Sequence, residues 1–88
     1  MEFTKKYSML LNNLTVQKTF ANLASKCICD VMAVSEEEDY CVDAKSVLGF
    51  YSLDLNRPVT ITVNNEADAR VIEKGLRERD IDFAVVSA

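Results

Sequence analysis

The chain contains no histidine and no tryptophan, and only one proline and two glycines among 88 residues. Each shortage closes off a class of function. Without histidine no side chain titrates near neutrality at its ordinary pKa, no imidazole can ligate a metal, and no ring nitrogen can carry a labile phosphoryl group. With two glycines there is no glycine-rich loop to cradle a nucleotide phosphate. The cysteines, Cys27, Cys29 and Cys41, are three in number, lack Cys-x-x-Cys spacing and have no histidine to complete a zinc set. They read as free, mostly buried thiols that pack as small hydrophobes, and their spacing recommends no redox role.

An excess of positive charge is missing as well. Ten Lys and Arg against fourteen Asp and Glu leave a net charge of -4, which argues against nucleic acid or an anionic membrane as partner. The segment Met1-Glu2-Phe3-Thr4-Lys5-Lys6-Tyr7 has no apolar stretch of the signal-peptide kind, and the longest apolar run falls far short of a membrane span, so a cytoplasmic location is expected. What the chain does have is core material: 49% of it is hydrophobic. Residues 1–88 are expected to form one two-layer domain, too small for a deep enclosed active site.

Residues Glu2 to Met9 alternate loosely and read as a first strand, and Asn12-Asn13-Leu14-Thr15 supplies turn and cap residues. Val16, Phe20, Leu23, Ala24 and Cys27 then recur at helical spacing, with Gln17, Lys18, Asn22 and Lys26 on the expected exposed face. Cys29 to Val34 and Tyr40 to Ala44 read as a hairpin around the acidic turn Ser35-Glu36-Glu37-Glu38-Asp39. Ser46 to Leu53 reads as a brief second helix with Ser46 as its N-cap. Val59, Ile61 and Val63, alternating with Thr60 and Thr62, form the clearest strand, half covered and half wet. Asn65-Glu66-Ala67-Asp68 reads as the cap and acidic first turn of a third helix carrying Ala69, Ile72 and Leu76 inward, with Glu73 and Arg77 paired on its outer surface. Ile81 to Ser87 is apolar enough for a final strand. The order β-α-β-β-α-β-α plus that strand predicts an α+β domain, an antiparallel sheet with helices packed on one face.

That order, together with Leu23-Ala24-Ser25-Lys26, Ala44-Lys45-Ser46-Val47-Leu48-Gly49 with Phe50-Tyr51-Ser52-Leu53, and Val59-Thr60-Ile61-Thr62-Val63, resembles HPr, the phosphocarrier protein of the sugar phosphotransferase system. The likeness runs to about Arg79 and is most specific around Ser46. It implies an HPr-like open-faced sandwich, a four-stranded antiparallel sheet covered on one face by three helices, with the C-terminal strand as an addition where the family ends in its helix. Glu36 to Asp39 lengthens the hairpin beyond the family's usual turn.

In the family, the first helix opens with a His-Ala-Arg-Pro-Ala string whose histidine accepts the phosphoryl group. Counting back from Ser25-Lys26, the matching residues are Asn13-Leu14-Thr15-Val16-Gln17. Asn13 stands where the resemblance puts the acceptor. Its amide nitrogen is delocalised into the carbonyl and is no nucleophile. Thr15 stands where the family has its arginine, a phosphate clamp. Phosphocarrier chemistry is thereby excluded, and Asn13 reads as a helix N-cap. Ser46 is retained. In Gram-positive relatives the matching serine is phosphorylated by an ATP-dependent HPr kinase, and a phosphate at a helix N-terminus is electrostatically well placed, with Lys45 adding positive charge.

The resemblance turns Phe50, Leu53 and Leu55 inward and leaves Val47, Leu48 and Tyr51 as an exposed apolar patch beside Ser46, where HPr relatives dock their partners. It therefore implies a histidine-lacking, Crh-like regulatory protein without enzymatic activity, cofactor or metal, recognised by protein partners such as an HPr kinase, a transcriptional regulator or phosphotransferase-system components. Thr15, Lys45, Val47, Leu48 and Tyr51 would form its partner-binding surface. The alternative reading is a constitutive interaction module in which Ser46 is only a helix cap. An enzyme is the weakest reading, because Asp30 and Asp43 fall on strands without any acid/base spacing. The strand within Asp80 to Ala88 must pair with something, either extending the sheet at an edge or bridging two copies of the protein.

Overall fold

The alternation of β-branched residues and threonines around Ile61 sets the centre of the sheet. The computed structural model describes residues 3–35, 41–45 and 56–87. Its elements run β1 (Lys5–Met9), α1 (Leu14–Ser25), β2 (Val31–Ser35), β3 (Cys41–Asp43), β4 (Val59–Val63), α2 (Glu66–Glu78) and β5 (Ala84–Ser87). The strands form one five-stranded sheet in the order β3-β2-β4-β1-β5, and every neighbouring pair is antiparallel. The architecture is an α+β open sandwich. The final strand extends the sheet at its edge beside β1. The expected short helix over Ser46 to Leu53 and the acidic turn through Glu36 to Asp39 lie outside the described residues.

Because side chains alternate across a strand, the register assigns each row to one face. Ala33, Ile61, Tyr7 and Val85 are successive partners across four strands, and Ala33, Ile61 and Tyr7 are fully buried beneath the helices. Val34, Thr60, Ser8 and Ala84 form the adjacent row on the open face. Phe20, Leu23 and Ala24 of α1, together with Ala69, Ile72 and Leu76 of α2, close the core from above. Each fully buried aliphatic side chain contributes about 2 kcal/mol of transfer free energy. At Gly75 α2 passes close to α1, and a β-carbon there would run into the Leu23 side chain. A side chain at this position would have to displace Leu23.

Gln17, expected on the exposed face of α1, is buried. Its Nε2 donates to the Leu11 carbonyl at 2.8 Å, which turns the side chain inward and ties the β1–α1 connection to the helix. Among the described residues its Oε1 has no hydrogen-bond partner. Lys18, Asn22 and Lys26 are exposed as the periodicity predicts.

A polar cluster links β1 to α2 near the β5 side of the sheet. Glu73 Oε2 accepts from both the Tyr7 hydroxyl and Lys5 Nζ, the latter at 2.7 Å, while Arg77 Nη2 approaches Glu73 Oε1 at 3.3 Å. The Phe83 ring meets Tyr7 edge-on with centroids 5.7 Å apart, and the Arg77 guanidinium lies 5.5 Å from the Phe83 ring centre. The expected Glu73–Arg77 surface pair is therefore the exposed side of a partly buried assembly joining β1, α2 and the approach to β5. Burial raises the Tyr7 phenol pKa, and the accepting Glu73 carboxylate raises it further.

The end of α2 explains why β5 begins at Ala84 rather than Ile81. The Ile81 N–H donates to the Leu76 carbonyl at 3.0 Å and the Asp80 N–H to the Arg77 carbonyl at 3.2 Å. This pair of bonds is a Schellman cap, which needs a left-handed residue between helix and exit. Asp80 supplies it with φ 54°, and the half-buried Ile81 packs against the core. Glycine adopts that conformation without a β-carbon penalty. Asp80→Gly is accordingly expected to stabilise the protein by about 0.5–1 kcal/mol, measured as a rise in thermal midpoint of a few degrees.

Candidate functional site

The N-terminal end of α1 follows from one side chain. Asn13 has extended backbone (φ -142°, ψ 156°), and its Oδ1 accepts from the Val16 N–H at 2.9 Å. Its carbonyl accepts the first helix-closing bond, from the Gln17 N–H at 3.1 Å. These are the geometry and chemistry of an N-cap. With the carboxamide oxygen engaged and the nitrogen delocalised, Asn13 offers no nucleophile. Thr15, two residues on in the first turn, is exposed.

Asn13, Thr15 and Val16 form one wall of an open groove whose other wall is the capped end of α2 at Asp80, Ile81 and Asp82. Arg79 also borders it, and its Nη1 donates to the Gly75 carbonyl at 3.4 Å. Two carboxylates against one partly engaged guanidinium make this rim a poor place for a phosphoryl group. Two exposed leucines, Leu10 and Leu14, lie at the same end of the helix.

Lys45 sits elsewhere. Its N–H donates to Asp43 Oδ1 at 2.9 Å, a side-chain turn that ends β3, while the preceding Ala44 N–H donates to the Val31 carbonyl at 2.8 Å. The charge of Lys45 is felt at Cys27, just beyond the C-terminal end of α1. Asn13 caps the N-terminal end of the 12-residue α1, a helix about 18 Å long, whereas Lys45 follows β3 beside the start of β2. The structure brings Asn13 and Thr15 together but does not bring them to Lys45. Ser46, Val47, Leu48 and Tyr51, with the inward-assigned Phe50, Leu53 and Leu55, lie outside the described residues.

The Lys45 end contains a residue that sequence reasoning did not single out. Ile28 is 79% exposed in the connection between α1 and β2. The connection is held by Asp68, a buried acid in the first turn of α2, whose Oδ1 accepts from the Ile28 N–H at 2.8 Å and whose Oδ2 accepts from the Cys29 N–H at 2.9 Å. The Asp68 N–H itself donates to Asn65 Oδ1 at 3.1 Å, so the expected cap is present. An apolar residue between two cysteines was the available sequence signal, and it reads equally well as the start of a strand.

Cys27 and Cys29 are free. Burial pushes the Cys27 thiol up to about 11, with the Asp68 carboxylate adding to the effect. It stays protonated at neutral pH and serves as packing rather than as a nucleophile. Among the described residues no group of three or more cysteine or carboxylate side chains is placed to hold a metal ion, and no helix is long and apolar enough to cross a membrane. No family model matches the sequence, and no curated protein matches it.

Proposed function

We propose that the protein is a regulatory binding domain of the HPr type, unable to carry phosphate on its first helix and recognised by protein partners at the Ser46 end of the molecule. The observation that carries this reading is Asn13. The residue that the resemblance aligns with the phosphoacceptor histidine is committed to capping α1, and the adjoining rim carries carboxylates where a phosphoryl group would need cations. The α+β open sandwich is compatible with that family, whose third helix would fall on residues 46–53. The side-chain turn at Asp43 holds Lys45 at the end of β3, and Ile28 is an exposed apolar residue that a protein partner could contact.

Incubation with ATP and HPr kinase from the same organism is expected to add one phosphoryl group at Ser46, read by intact mass and fragment mapping, and none to the Ser46→Ala variant. Failure of the wild-type chain to accept phosphate under conditions where that kinase modifies its own HPr would remove the switch and leave the constitutive interaction module.

A further inference from the structure

We propose that β5 is a self-association edge. Two copies pair β5 with β5 antiparallel about a twofold axis, joining two five-stranded sheets into one. This is independent of Ser46 and of the reading above.

The first argument is the backbone. On one side β5 bonds to β1; on the other no described strand lies beyond it. Its outward N–H and C=O groups are a template for another strand. Proteins blunt such edges with charge, proline or a bulge. The stretch Phe83 to Ser87 has no charged residue and no proline. A register irregularity falls at Val86, the residue of β5 skipped between the Tyr7–Val85 and Lys6–Ser87 partners. Ala84 and Val85 remain in regular register with Ser8 and Tyr7.

The second argument is the side chains. Val85 and Val86 are 50% and 57% exposed, a large apolar exposure on four residues of strand. Val85 ends the covered row that runs through Ala33, Ile61 and Tyr7, beyond the reach of α2 and beside Phe83 and Arg77. Antiparallel partners place their side chains on the same face. Pairing centred on Val85 sets Val85 against its own copy on the covered face and Ala84 opposite the exposed Val86. The apolar row then continues through the axis instead of stopping in water. The strand is its own complement, and a charged partner would find no counter-charge on it.

The third argument is closure. A β5 edge pairing with the opposite edge, β3, would add copies without limit. β3 is three residues long, ends at Asp43, and follows Glu36-Glu37-Glu38-Asp39 in the sequence. A three-residue edge ending in a carboxylate offers a second copy of a chain of net charge -4 little to pair with, whereas β5 with β5 uses the β5 edge of each copy and stops at two.

The experiment is sedimentation of the full chain from roughly 10 μM to 1 mM, the range in which a small strand-edge interface associates. The expected mass rises from 9.9 kDa towards twice that value. Val86→Lys, which places a like charge on each copy beside the axis, is expected to raise the dissociation constant at least tenfold with an unchanged circular dichroism spectrum, and Val86→Thr is expected to leave it within about twofold. Amide exchange of the wild-type chain gives a second readout that needs no variant: protection of the β5 amides should increase with protein concentration while that of β4 does not. A wild-type chain that stays monomeric to 1 mM, a dimer indifferent to Val86→Lys, or β5 protection independent of concentration would each overturn the proposal.

Discussion

Asp68→Ala is expected to lower the unfolding free energy by about 3 kcal/mol, a large part of the margin of a domain this size. Asp68 is 2% exposed, and its carboxylate is held by main-chain donors, the N–H groups of Ile28 and Cys29. It also occupies the first turn of α2, where the helix dipole favours negative charge. Hydrogen bonds to an ionised acceptor are worth about 1.5–3 kcal/mol each, and removal of the acceptor leaves both donors to be solvated by whatever water can enter. Asp68→Asn keeps the shape but has one accepting oxygen and turns an NH2 group on the other donor, so it should recover less than half of the loss. Urea denaturation would show the effect as a fall in midpoint on the order of 2 M with little change in slope. An Asp68→Ala midpoint within about 0.3 M of wild type would mean that the loop holds itself. Because the same bonds fix the backbone that displays Ile28, affinity for any partner docking at that end should fall with stability.

The second large effect belongs to Glu73, and it depends on pH. Glu73→Ala removes the shared acceptor of Tyr7 and Lys5 and is expected to cost about 2–3 kcal/mol at pH 7. Lys5 can turn to solvent, but the Tyr7 side chain is fully buried, so its hydroxyl is the group left short. Tyr7→Phe should cost about 1 kcal/mol, and Tyr7→Phe with Glu73→Ala should cost clearly less than the sum, because the two variants remove one bond. Burial by itself would push the Glu73 carboxyl up from its ordinary 4.5, but hydrogen bonds from Lys5 and Tyr7 and the charges of Lys5 and Arg77 outweigh it, and the folded carboxyl lies below that value. A carboxyl with a lower pKa folded than unfolded stabilises the fold in full above its unfolded pKa. That contribution is lost as pH falls through the folded value. Wild-type stability should therefore drop on acidification below about pH 4.5, and the drop should be shallower in Glu73→Ala. Parallel pH profiles for the two proteins would show that the cluster is not what acid disrupts.

Periodicity carries the parts of this fold that repeat at short range. Val59, Ile61 and Val63 alternate inward, Ala69, Ile72 and Leu76 line α2, and the two asparagine caps stand where cap chemistry places them. Long-range polar contacts leave no such trace. Tyr7 and Glu73 are 66 residues apart, and Asp68 reaches the Cys29 N–H across 39. Each looks like an ordinary surface or first-turn residue until the chain is folded. Gln17 misleads for the opposite reason. A polar side chain at a position between stripe and surface reads as exposed, and only the nearby Leu11 carbonyl makes burial tolerable. Of the candidate site, the Asn13 cap was legible from residue type alone, whereas the position of Lys45 beside the start of β2 needed the folded sheet.

The position of β1 also sets an order of events. Its two neighbours in the sheet are β4 and β5, so the strand that leaves the ribosome early finds no partner until residues 59 to 63, and then 84 to 87, have followed it. At about 5–20 residues per second during synthesis, that is a wait of several seconds. Meanwhile the β2–β3 hairpin can close on its own. The nascent chain must carry Tyr7 and Met9 unsheltered through that interval, and a helper that shields short apolar stretches at the exit tunnel would find its natural substrate there.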